Sequence, residues 1–301
     1  MGGNIWIIKM KNIVAFFTRY VSLIVGKERM AKLLIYSSKT LNINLHEHGL
    51  IQMGAGISHI PEENGEVFFI ENILPHLFKP GGRSVFFDVG AHIGNYAIRL
   101  RKRFQEADIY AFEPVEDTYD TMFSNASGFE INMYNVGLGE KRGTATIFNT
   151  TNNTNTELAS LYRNIFDAYH ESDEEISSFQ FSIDTIDDFC AARQIQNINF
   201  LKIDVEGHEL LVLKGASEML SHSNIEVIQF EFNIHNVYSR VYLRDFYSLL
   251  SDFKIFRIVP NGLINLGDYN SSNEIFLLQN LLAVRKDICH LIGKSYLHSY
   301  Y

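Results

Sequence analysis

The sequence is poor in cysteine and carries no excess of basic charge. Its 301 residues include two cysteines, Cys190 and Cys289, which lie far apart. They show neither a disulfide framework nor the spacing of a metal site, which fits a reducing compartment. The formal net charge of -9 argues against broad nucleic-acid binding, because that function normally requires a basic surface. We therefore expect no nucleic-acid partner.

A long apolar run is also missing. The most apolar N-terminal stretch, residues 5–25, contains Lys9, Lys11 and Arg19, whereas a membrane-spanning helix needs roughly 20 apolar residues with few or no charges. The uninterrupted apolar part, around Ile13–Phe17, is too short for the apolar region of a signal peptide. The sequence therefore predicts no spanning helix, no secretion and a cytoplasmic location.

Charge is unevenly distributed along the chain, with a basic segment before Asn42. One acid, Glu28, is accompanied there by several basic residues: Lys9, Lys11, Arg19, Lys27, Arg29, Lys32 and Lys39. A basic amphipathic helix can dock on the anionic inner face of a membrane. The alternative is a solvated helix face without a partner. The charge pattern leaves peripheral membrane contact and this simpler interpretation open.

The rest of the composition is that of a globular protein, with 46% hydrophobic and 20% charged residues. The length suits one large domain with extensions. We predict an N-terminal extension over residues 1–80, with helices and a strand or short hairpin at Leu41–Ile51. A main domain follows over residues 81–285, and a tail covers residues 286–301. A polar stretch, residues 149–179, interrupts the main domain as an insert or lid.

Apolar strands alternate with helices in the main domain. Continuous apolar runs, such as Ser84–Val89 and Ile225–Phe232, are typical of parallel strands buried on both faces. The alternation predicts an α/β fold with a mostly parallel, seven-stranded sheet and helices on both faces. A turn-rich link joins the last two predicted strands, Phe253–Val259 and Glu274–Gln279. We therefore expect an antiparallel edge strand there.

The strongest chemical signal is a strand that ends in an acid and continues into a glycine turn, residues 87–95. Gly90 permits a sharp turn and a close approach of a ligand to the backbone, and the N–H groups of the next helix can bind a carboxylate or phosphate. The turn lacks the Gly-x-Gly-x-x-Gly pattern of dinucleotide enzymes and the Gly-Lys ending of a phosphate loop. Asp88 before the turn suits the ammonium group of an amino-acid moiety.

Three more strand ends carry ionisable groups. Glu113 follows the second strand, roughly 20 residues beyond Gly94, where an acid can accept hydrogen bonds from ribose hydroxyls. A strand near residues 197–203 contains Lys202, which is expected to pair with a buried acid. Glu231 interrupts another apolar strand, and His235 lies just beyond it. The strand near 197–203 runs into a dense ionisable cluster: Asp204, Glu206, His208 and Glu209.

These motifs together resemble the FkbM family of methyltransferases. His92 stands where the family more often has Asn, although the pocket remains polar. The resemblance covers about residues 84–235, half of the chain, and implies a Rossmann-like class I methyltransferase fold. It is carried by segments in the order and spacing of the family: Asp88–Asn95, Phe112–Pro114, Ile183–Asp188, Lys202–Glu209 and Val212–Ala216.

The resemblance implies S-adenosylmethionine as methyl donor, S-adenosylhomocysteine as product and O-methylation of an acceptor. Glu113 would hold the ribose, and Asn135–Gly137, with Val136 at its centre, would line the adenine side. Asp204 and Glu206 would face the reacting centre, Asp204 also touching the cofactor. The methionine end would lie against a polar group of residues: Asp88, Gly90, His92, Gly94 and Asn95. Acceptors in the family are often sugars of glycolipids, surface polysaccharides or natural products, so we expect a carbohydrate hydroxyl.

The implied reaction is an in-line displacement in which the acceptor oxygen attacks a sulfonium methyl group. Candidate bases are Glu206, His208 and His235, because their pKa values can be tuned towards the working pH. Asp204 completes the predicted catalytic group. A version with a divalent metal on Asp204, Glu231 and Asn233 is the less favoured alternative, since these are hard oxygen ligands.

Two other functions remain open on the sequence. A sugar-modifying enzyme of the NAD type would share the fold, but the missing Gly-x-Gly-x-x-Gly turn argues against it. A non-catalytic scaffold with a methyltransferase fold is the second alternative. The presence of Asp88, Glu113 and Asp204 argues against a scaffold. The sequence gives no indication of oligomeric state.

Overall fold

A computed structural model of the chain describes residues 20–21, 23–150 and 176–298. The chain divides into two compact units, residues 1–52 and 53–301. Most of the predicted insert and the last three residues of the predicted tail lie outside the described residues, as does most of the apolar stretch 5–25. No helix among the described residues is long and apolar enough to cross a membrane.

The first unit contains helix α1 (Lys27–Thr40) and helix α2 (Leu45–Gln52). The prediction of a strand or hairpin at residues 41–51 is therefore wrong. The side-chain oxygen of Asn44 accepts hydrogen bonds from the backbone N–H groups of His46 at 3.2 Å and Glu47 at 3.3 Å, which caps the start of a helix. Helix α2 has no buried residue, so the short polar and apolar alternation has no buried face that could stabilise a strand.

The segment before residue 80 packs within the second unit. It is a broken helix made of α3 (Pro61–Asn64), α4 (Glu66–Phe68), a π-helical turn (Phe69–Ile73) and α5 (Leu74–Leu77). Pro75 has no N–H to donate to the preceding turn, which accounts for the widened π-helical geometry before it. The apolar face of this segment shares a buried cluster with Phe86 and Phe200 of the sheet. The boundary between the two compact units falls after residue 52 of the sequence. The sequence predicts a boundary near residue 80.

Twelve strands are described: β1 (Val85–Val89), β2 (Asp108–Phe112), β3 (Ile131–Tyr134), β4 (Gly137–Leu138), β5 (Gly143–Thr150), β6 (Ile176–Asp184), β7 (Ile198–Ile203), β8 (Ile225–Phe232), β9 (Phe253–Val259), β10 (Gly262–Asn265), β11 (Gln279–Arg285) and β12 (Leu297–His298). Nine of them form one sheet in the order β12-β10-β9-β11-β8-β7-β1-β2-β3. Strands β3, β2, β1, β7 and β8 are mutually parallel. The other three form a small sheet in the order β4-β6-β5.

Helices cover both faces of the large sheet. They are α6 (Asn95–Arg103), α7 (Glu116–Ala126), α8 (Ile186–Arg193), α9 (Glu209–Lys214), α10 (Ser217–Ser221), α11 (His235–Ser239) and α12 (Leu243–Leu249). Short 3-10 turns follow at Ser271–Asn273, Cys289–Leu291 and Lys294–Tyr296. Phe86 and Phe87 are neighbours in β1 yet belong to two different buried clusters, because successive side chains of a strand point to opposite faces. The predicted α/β fold with a mostly parallel sheet is confirmed.

The predicted antiparallel part of the sheet is present: β11 pairs antiparallel with β8 and β9, and β10 pairs antiparallel with β9. The last predicted strand differs in bounds and position, because β11 lies inside the sheet, between β8 and β9, whereas the sequence suggested Glu274–Gln279 at the sheet edge. The large sheet also has nine strands rather than the predicted seven. The carboxylate of Glu274 accepts hydrogen bonds from the backbone N–H groups of Leu243 at 2.9 Å and Arg244 at 3.0 Å. It therefore caps helix α12 and holds its own segment in a loop. The apolar residues of β11 are buried, as suits an interior strand.

Candidate active site

A cleft of about 1820 Å³ opens at the carboxyl ends of β1, β2, β7 and β8. Residues that follow each of these strands line it: Gly90, Glu113, Asp204 and Asn233. Parallel strands of α/β sheets bind ligands at this edge. The volume exceeds the roughly 300–1,000 Å³ typical of a pocket for one small molecule. The cleft therefore has room for a nucleoside cofactor and an acceptor side by side.

The floor of the cleft is formed where the loops after β1, β2 and β7 meet. Gly90 has a φ of +79°, and a Cβ atom there would lie 1.8 Å from the carbonyl oxygen of Asp204. The backbone N–H groups of Gly90 and Ala91 donate to the carbonyl of Phe112 at 3.0 and 2.9 Å. The N–H of Asp204 donates to the carbonyl of Val89 at 2.9 Å. A side chain at residue 90 would force these loops apart.

The glycine turn leads directly into helix α6. Gly94 has a φ of +86°, and a Cβ there would lie 3.0 Å from the Cγ of Met122, so the helix start is packed closely against α7. Asn95 is the first residue of α6 and lines the cleft. His92, whose φ of 50° is also left-handed, lines the cleft as well. Of the residues predicted for this part of the cofactor site, Gly90, His92 and Asn95 border the cleft.

Glu113 connects the β1 turn to the end of β2. Its carboxylate accepts hydrogen bonds from the backbone N–H of His92 at 3.0 Å and from that of Val115 at 2.9 Å. Burial raises the pKa of Glu113 to about 7, against the effect of these two hydrogen bonds. The side-chain amide of Asn135 donates to the carbonyls of Glu113 at 3.0 Å and Pro114 at 3.1 Å. Both Glu113 and the neighbouring Val136 border the cleft.

The antiparallel pair of β5 and β6 supplies a wall of the cleft, and the sequence did not indicate its strand β6. Phe181 of β6 lines the cleft, and a Cβ at Gly137 would lie 2.5 Å from its ring. Strand β6 begins at Ile176, inside the stretch predicted to be an insert. The apolar alternation of Phe179, Phe181 and Ile183 was the signal that could have identified this strand.

Asp88 lies beneath the floor of the cleft rather than along it. It is 0% exposed and is absent from the residues that line the cleft. One of its carboxylate oxygens lies 4.0 Å from the ammonium nitrogen of Lys202. Burial raises the pKa of Asp88 to about 6, while Lys202 opposes the shift. The sequence predicts contact between Asp88 and the cofactor, and this stays a prediction; in the structure Asp88 lies beside a buried lysine.

Lys202 also forms an ion pair with Asp204, at 2.9 Å between Nζ and Oδ2. The buried acid that the sequence predicts as a partner of Lys202 is Asp88, at 4.0 Å. Burial lowers the pKa of Lys202, but the carboxylates of Asp204, Asp88 and Glu66 outweigh burial and raise it above its ordinary value. The side chain of Asp204 is 29% exposed and lines the cleft. Lys202 and Glu66 also border the cleft, but both are buried, so Asp204 is the most exposed member of this group.

A carboxylate and imidazole pair lies beside Asp204. Oε2 of Glu206 is 2.9 Å from Nδ1 of His235, and both residues line the cleft. Glu206 has a left-handed φ of 55°, a strained conformation for a non-glycine residue that is found most often at functional sites. The next residue, Gly207, has a φ of +94°, and a Cβ there would lie 2.9 Å from the Cβ of His235. The loop after β7 is thus pressed against the start of α11.

The pair shifts the pKa values of both members. Burial raises the pKa of Glu206, and the hydrogen bond with His235 opposes the shift. Burial lowers the pKa of His235, but the hydrogen bond with Glu206 outweighs burial and raises it above its usual value. The backbone N–H of His235 donates to the side-chain oxygen of Asn233 at 2.9 Å, and Asn233 donates to Glu231 at 3.0 Å. Glu206 therefore contacts the imidazole ring, and Asn233 holds the backbone of the same residue.

The remaining ionisable residues of the β7 loop have different surroundings. His208 borders the cleft, and burial lowers its pKa to about 4, so the ring is neutral at neutral pH. Glu209 is 1% exposed, and its Oε1 accepts hydrogen bonds at 3.1 Å from the N–H groups of Val205 and Gly207. Glu209 thus closes the loop rather than facing a ligand. Within the described ranges, no group of three or more His, Cys, Asp and Glu residues has the arrangement of a metal site.

The fold and the cleft define a Rossmann-like α/β domain that holds its ligand at the carboxyl ends of parallel strands. Residues 88–253 match the family model described as the methyltransferase FkbM domain, and this match covers more than half of the chain. The chain therefore belongs to the FkbM methyltransferase family, which confirms the resemblance seen in its motifs. The matched region is a methyltransferase domain of this family.

Three relatives place the chain among known proteins. The hexuronic acid methyltransferase AglP of Haloferax volcanii is 28% identical over 180 residues, 57% of this chain and 63% of AglP. Methyltransferase 1 of Beauveria bassiana is 24% identical over 147 residues, 45% of this chain and 59% of its own. The solved structure of an FkbM methyltransferase from Methylobacillus flagellatus is 16% identical, with a TM-score of 0.40 over 72% of this chain and 50% of that one. The chain thus spans less than two thirds of the length of these relatives.

Proposed function

We propose that the protein transfers the methyl group of S-adenosylmethionine to a hydroxyl group of a carbohydrate. The observation that carries this proposal is the Glu206–His235 pair, with 2.9 Å between carboxylate and imidazole, on the wall of a cleft with room for two ligands. Methyl transfer to a hydroxyl group requires a group that accepts the hydroxyl proton, and such a pair is suited to that task.

The residues of the cleft suit the cofactor. The absence of a side chain at Gly90 lets the backbone of Asp204 lie where a Cβ would otherwise stand, and Asp204 offers an anionic group to the methionine end. Glu113 offers carboxylate oxygens to ribose hydroxyls, and Val136 with Phe181 offers an apolar wall to a purine. When bound, S-adenosylmethionine supplies an electrophilic methyl group on a positively charged sulfur. Asp204 and Glu206 would orient the acceptor oxygen towards that group.

The pair removes the proton as the oxygen–methyl bond forms. The contact between Glu206 and His235, 2.9 Å from Oε2 to Nδ1, stabilises the protonated imidazole, as the raised pKa of His235 indicates. The raised pKa of Glu206 likewise makes its carboxylate a stronger base than an exposed glutamate. The proton of the acceptor hydroxyl would end on this pair. Asn233 keeps the imidazole in place through the backbone.

A carbohydrate acceptor is supported by the relative AglP, whose name identifies it as a hexuronic acid methyltransferase. It is also supported by the mixture of polar and apolar side chains in the cleft. A sugar ring presents hydroxyl groups at its edges and C–H groups on its faces, so it needs both kinds of contact. Phe276 and Ile234 provide apolar contact near His235 in the same cleft.

The test has two stages. Calorimetric titration with S-adenosylhomocysteine should give micromolar binding to the purified protein. The protein is then incubated with S-adenosylmethionine and a panel of neutral glycosides, uronic acid glycosides and nucleotide sugars, and methylated products are sought by mass spectrometry. Methylation of at least one glycoside hydroxyl is expected. Binding of NAD in place of S-adenosylhomocysteine would contradict the proposal and favour a sugar-modifying enzyme of the NAD type.

We also propose that the first unit docks on an anionic membrane surface at the cytoplasmic face. Its described part exposes many large apolar side chains, including Leu23 at 81%, Tyr36 at 73% and Leu33 at 58%. Ser38 is the only buried residue of α1. The same helix carries basic residues: Lys27, Arg29, Lys32 and Lys39. Exposed apolar residues together with basic ones fit the boundary between acyl chains and anionic headgroups.

Vesicle binding tests this surface. The protein should sediment with vesicles of phosphatidylcholine and phosphatidylglycerol, and not with phosphatidylcholine alone, because the basic residues need anionic lipid. Added salt should weaken binding. The variant Leu33→Ser/Leu34→Ser should lose it, whereas Leu297→Ser, an exposed leucine of the second unit, should not. Failure to sediment with anionic vesicles, or a dimer through α1 in light scattering that the double variant abolishes, would contradict the docking proposal.

A further inference from the structure

A row of polar side chains crosses the interior of the sheet beneath the cleft. Asp88 of β1 is paired in register with Lys202 of β7, which is paired with Gln229 of β8. All three residues are buried. Polar and charged groups in such a position are costly unless each has a partner. Their presence in three adjacent strands that are otherwise apolar points to a task that an apolar core could not perform.

Lys202 is the centre of this row. Its ammonium group is 2.9 Å from Asp204 and 4.0 Å from Asp88, and it lies 4.9 Å from the ring centre of Tyr96. The Tyr96 hydroxyl donates to Gln229 at 2.6 Å, and Gln229 donates to Glu66 at 2.6 Å. The row therefore connects strands β1, β7 and β8 with helices α6 and α4.

The carboxylates around Lys202 differ in what they can reach. Asp204 lines the cleft with 29% of its side chain exposed. Asp88 is 0% exposed, and its charged neighbour within 4.0 Å is Lys202. Glu66 is held by the amides of Asn64 and Gln229, and burial raises its pKa. Asp88 is thus placed to act on Lys202 and not on a ligand.

A charge count explains why both residues are needed. Without Asp88, the charge of Lys202 would act mainly on Asp204, the carboxylate that faces the cleft, with Glu66 as the other carboxylate nearby. With Asp88 present, the group of Asp88, Lys202 and Asp204 keeps one net negative charge. Two unit charges about 4 Å apart interact strongly in a partly buried site. The presence or absence of Asp88 therefore changes the attraction of the cleft for a cation.

We propose that Asp88 is a positioning residue that offsets the charge of Lys202, so that the negative charge of Asp204 stays available to the ammonium group of the cofactor's methionine moiety. The proposal rests on the proposed function, because it assumes that S-adenosylmethionine occupies the cleft. It departs from the direct contact between Asp88 and the cofactor that the sequence suggested. Asp88 and Lys202 together carry no net charge. Replacing both residues should therefore leave the charge of Asp204 as it is in the unmodified protein.

The test is a second-site rescue measured by calorimetric titration with S-adenosylhomocysteine. Asp88→Asn should weaken binding at least about tenfold, because the charge of Lys202 then acts mainly on Asp204. Adding Lys202→Met to this variant should restore affinity to within about threefold of the unmodified protein. Lys254→Met, which removes an exposed lysine of β9, should give no rescue in the Asp88→Asn background.

Each outcome decides between the two roles of Asp88. If Asp88 touches the cofactor directly, the double variant will bind no better than Asp88→Asn, and the proposal is overturned. If Asp88→Asn does not fold by circular dichroism, the double variant alone decides: near-normal binding supports the proposal, and loss of binding or of folding overturns it. If the unmodified protein does not bind S-adenosylhomocysteine, the proposed function itself fails, which is distinct from failed rescue in a protein that binds.

Discussion

Replacing Gly90 with alanine is expected to abolish binding of S-adenosylhomocysteine, with a loss of at least about 100-fold in affinity. The new Cβ would lie 1.8 Å from the carbonyl oxygen of Asp204, far inside contact distance. The loop must shift, and the hydrogen bonds from Gly90 and Ala91 to the Phe112 carbonyl, at 3.0 and 2.9 Å, depend on its position. The φ of +79° adds strain for any residue with a side chain.

Gly81→Ala is the matched control. Gly81 has a similar φ of +86°, but a Cβ there would have no atom within 4 Å, so the variant carries the backbone strain without the collision. It should bind S-adenosylhomocysteine like the unmodified protein, and it should lose less thermal stability than Gly90→Ala. Calorimetry and thermal unfolding measure both quantities. Equal affinities for Gly90→Ala and the unmodified protein would contradict the close approach of the β1 and β7 loops as the basis of the cofactor site.

The residues at strand ends could be predicted because their positions follow from local sequence. A buried strand is an apolar run, and the acid or glycine that ends it must lie at the edge of the sheet. Gly90, Glu113 and Asp204 were predicted for the site in this way, and all three border the cleft. The carboxyl ends of parallel strands all lie at the same edge of the sheet. The prediction therefore needed no knowledge of distant contacts.

Contacts between distant residues could not be predicted in the same way. The hydrogen bond from Gln229 to Glu66 joins residues 163 positions apart, and no periodicity in either segment specifies it. The sequence did contain a weaker signal, since Lys202, Gln229 and Glu231 each interrupt a strand that is otherwise apolar. An interruption of this kind indicates a buried polar partner but does not identify it. The long-range partner is determined by the packing of the broken helix before β1 against the sheet.

The role of Asp88 shows the same limit. Its position before the glycine turn was correct, but local sequence does not tell whether a carboxylate points into the cleft or under its floor. Alternation along a strand decides this, and the neighbouring strand decides what lies there. In this protein the neighbour is Lys202, so the carboxylate has a cation within the sheet. Glu206 and His235 were likewise separate candidates in the sequence, and their pairing became visible only in the fold.

Replacing either member of the Glu206–His235 pair should slow turnover by roughly 100-fold to 10,000-fold, the usual contribution of a proton-accepting group. Glu206→Gln and His235→Asn remove one partner each while keeping a similar shape. The acceptor identified in the glycoside panel serves as substrate. Affinity for S-adenosylhomocysteine should change by less than about threefold in both variants, because the pair acts on the acceptor. Glu218→Gln is the matched control, since Glu218 lies 3.9 Å from His222 in an exposed carboxylate and imidazole pair.

The pH dependence of kcat should separate the two variants. The proton acceptor works when deprotonated, so activity rises with pH through its pKa. Burial lowers the pKa of His235 and Glu206 raises it, so the rising limb should move to lower pH in Glu206→Gln. Burial raises the pKa of Glu206 and His235 opposes that shift, so the limb should move to higher pH in His235→Asn.

Residues that only maintain structure are not expected to shift the rising limb of the pH profile in opposite directions. Loss of structure would lower kcat in both variants without separating their pH profiles. Shifts in the same direction, or kcat values within about threefold of the unmodified protein, would contradict the assignment of the pair as proton acceptor.

His208 would then be the remaining candidate base on the cleft wall. Burial lowers its pKa to about 4, so a rising limb near that pH in all variants would identify it.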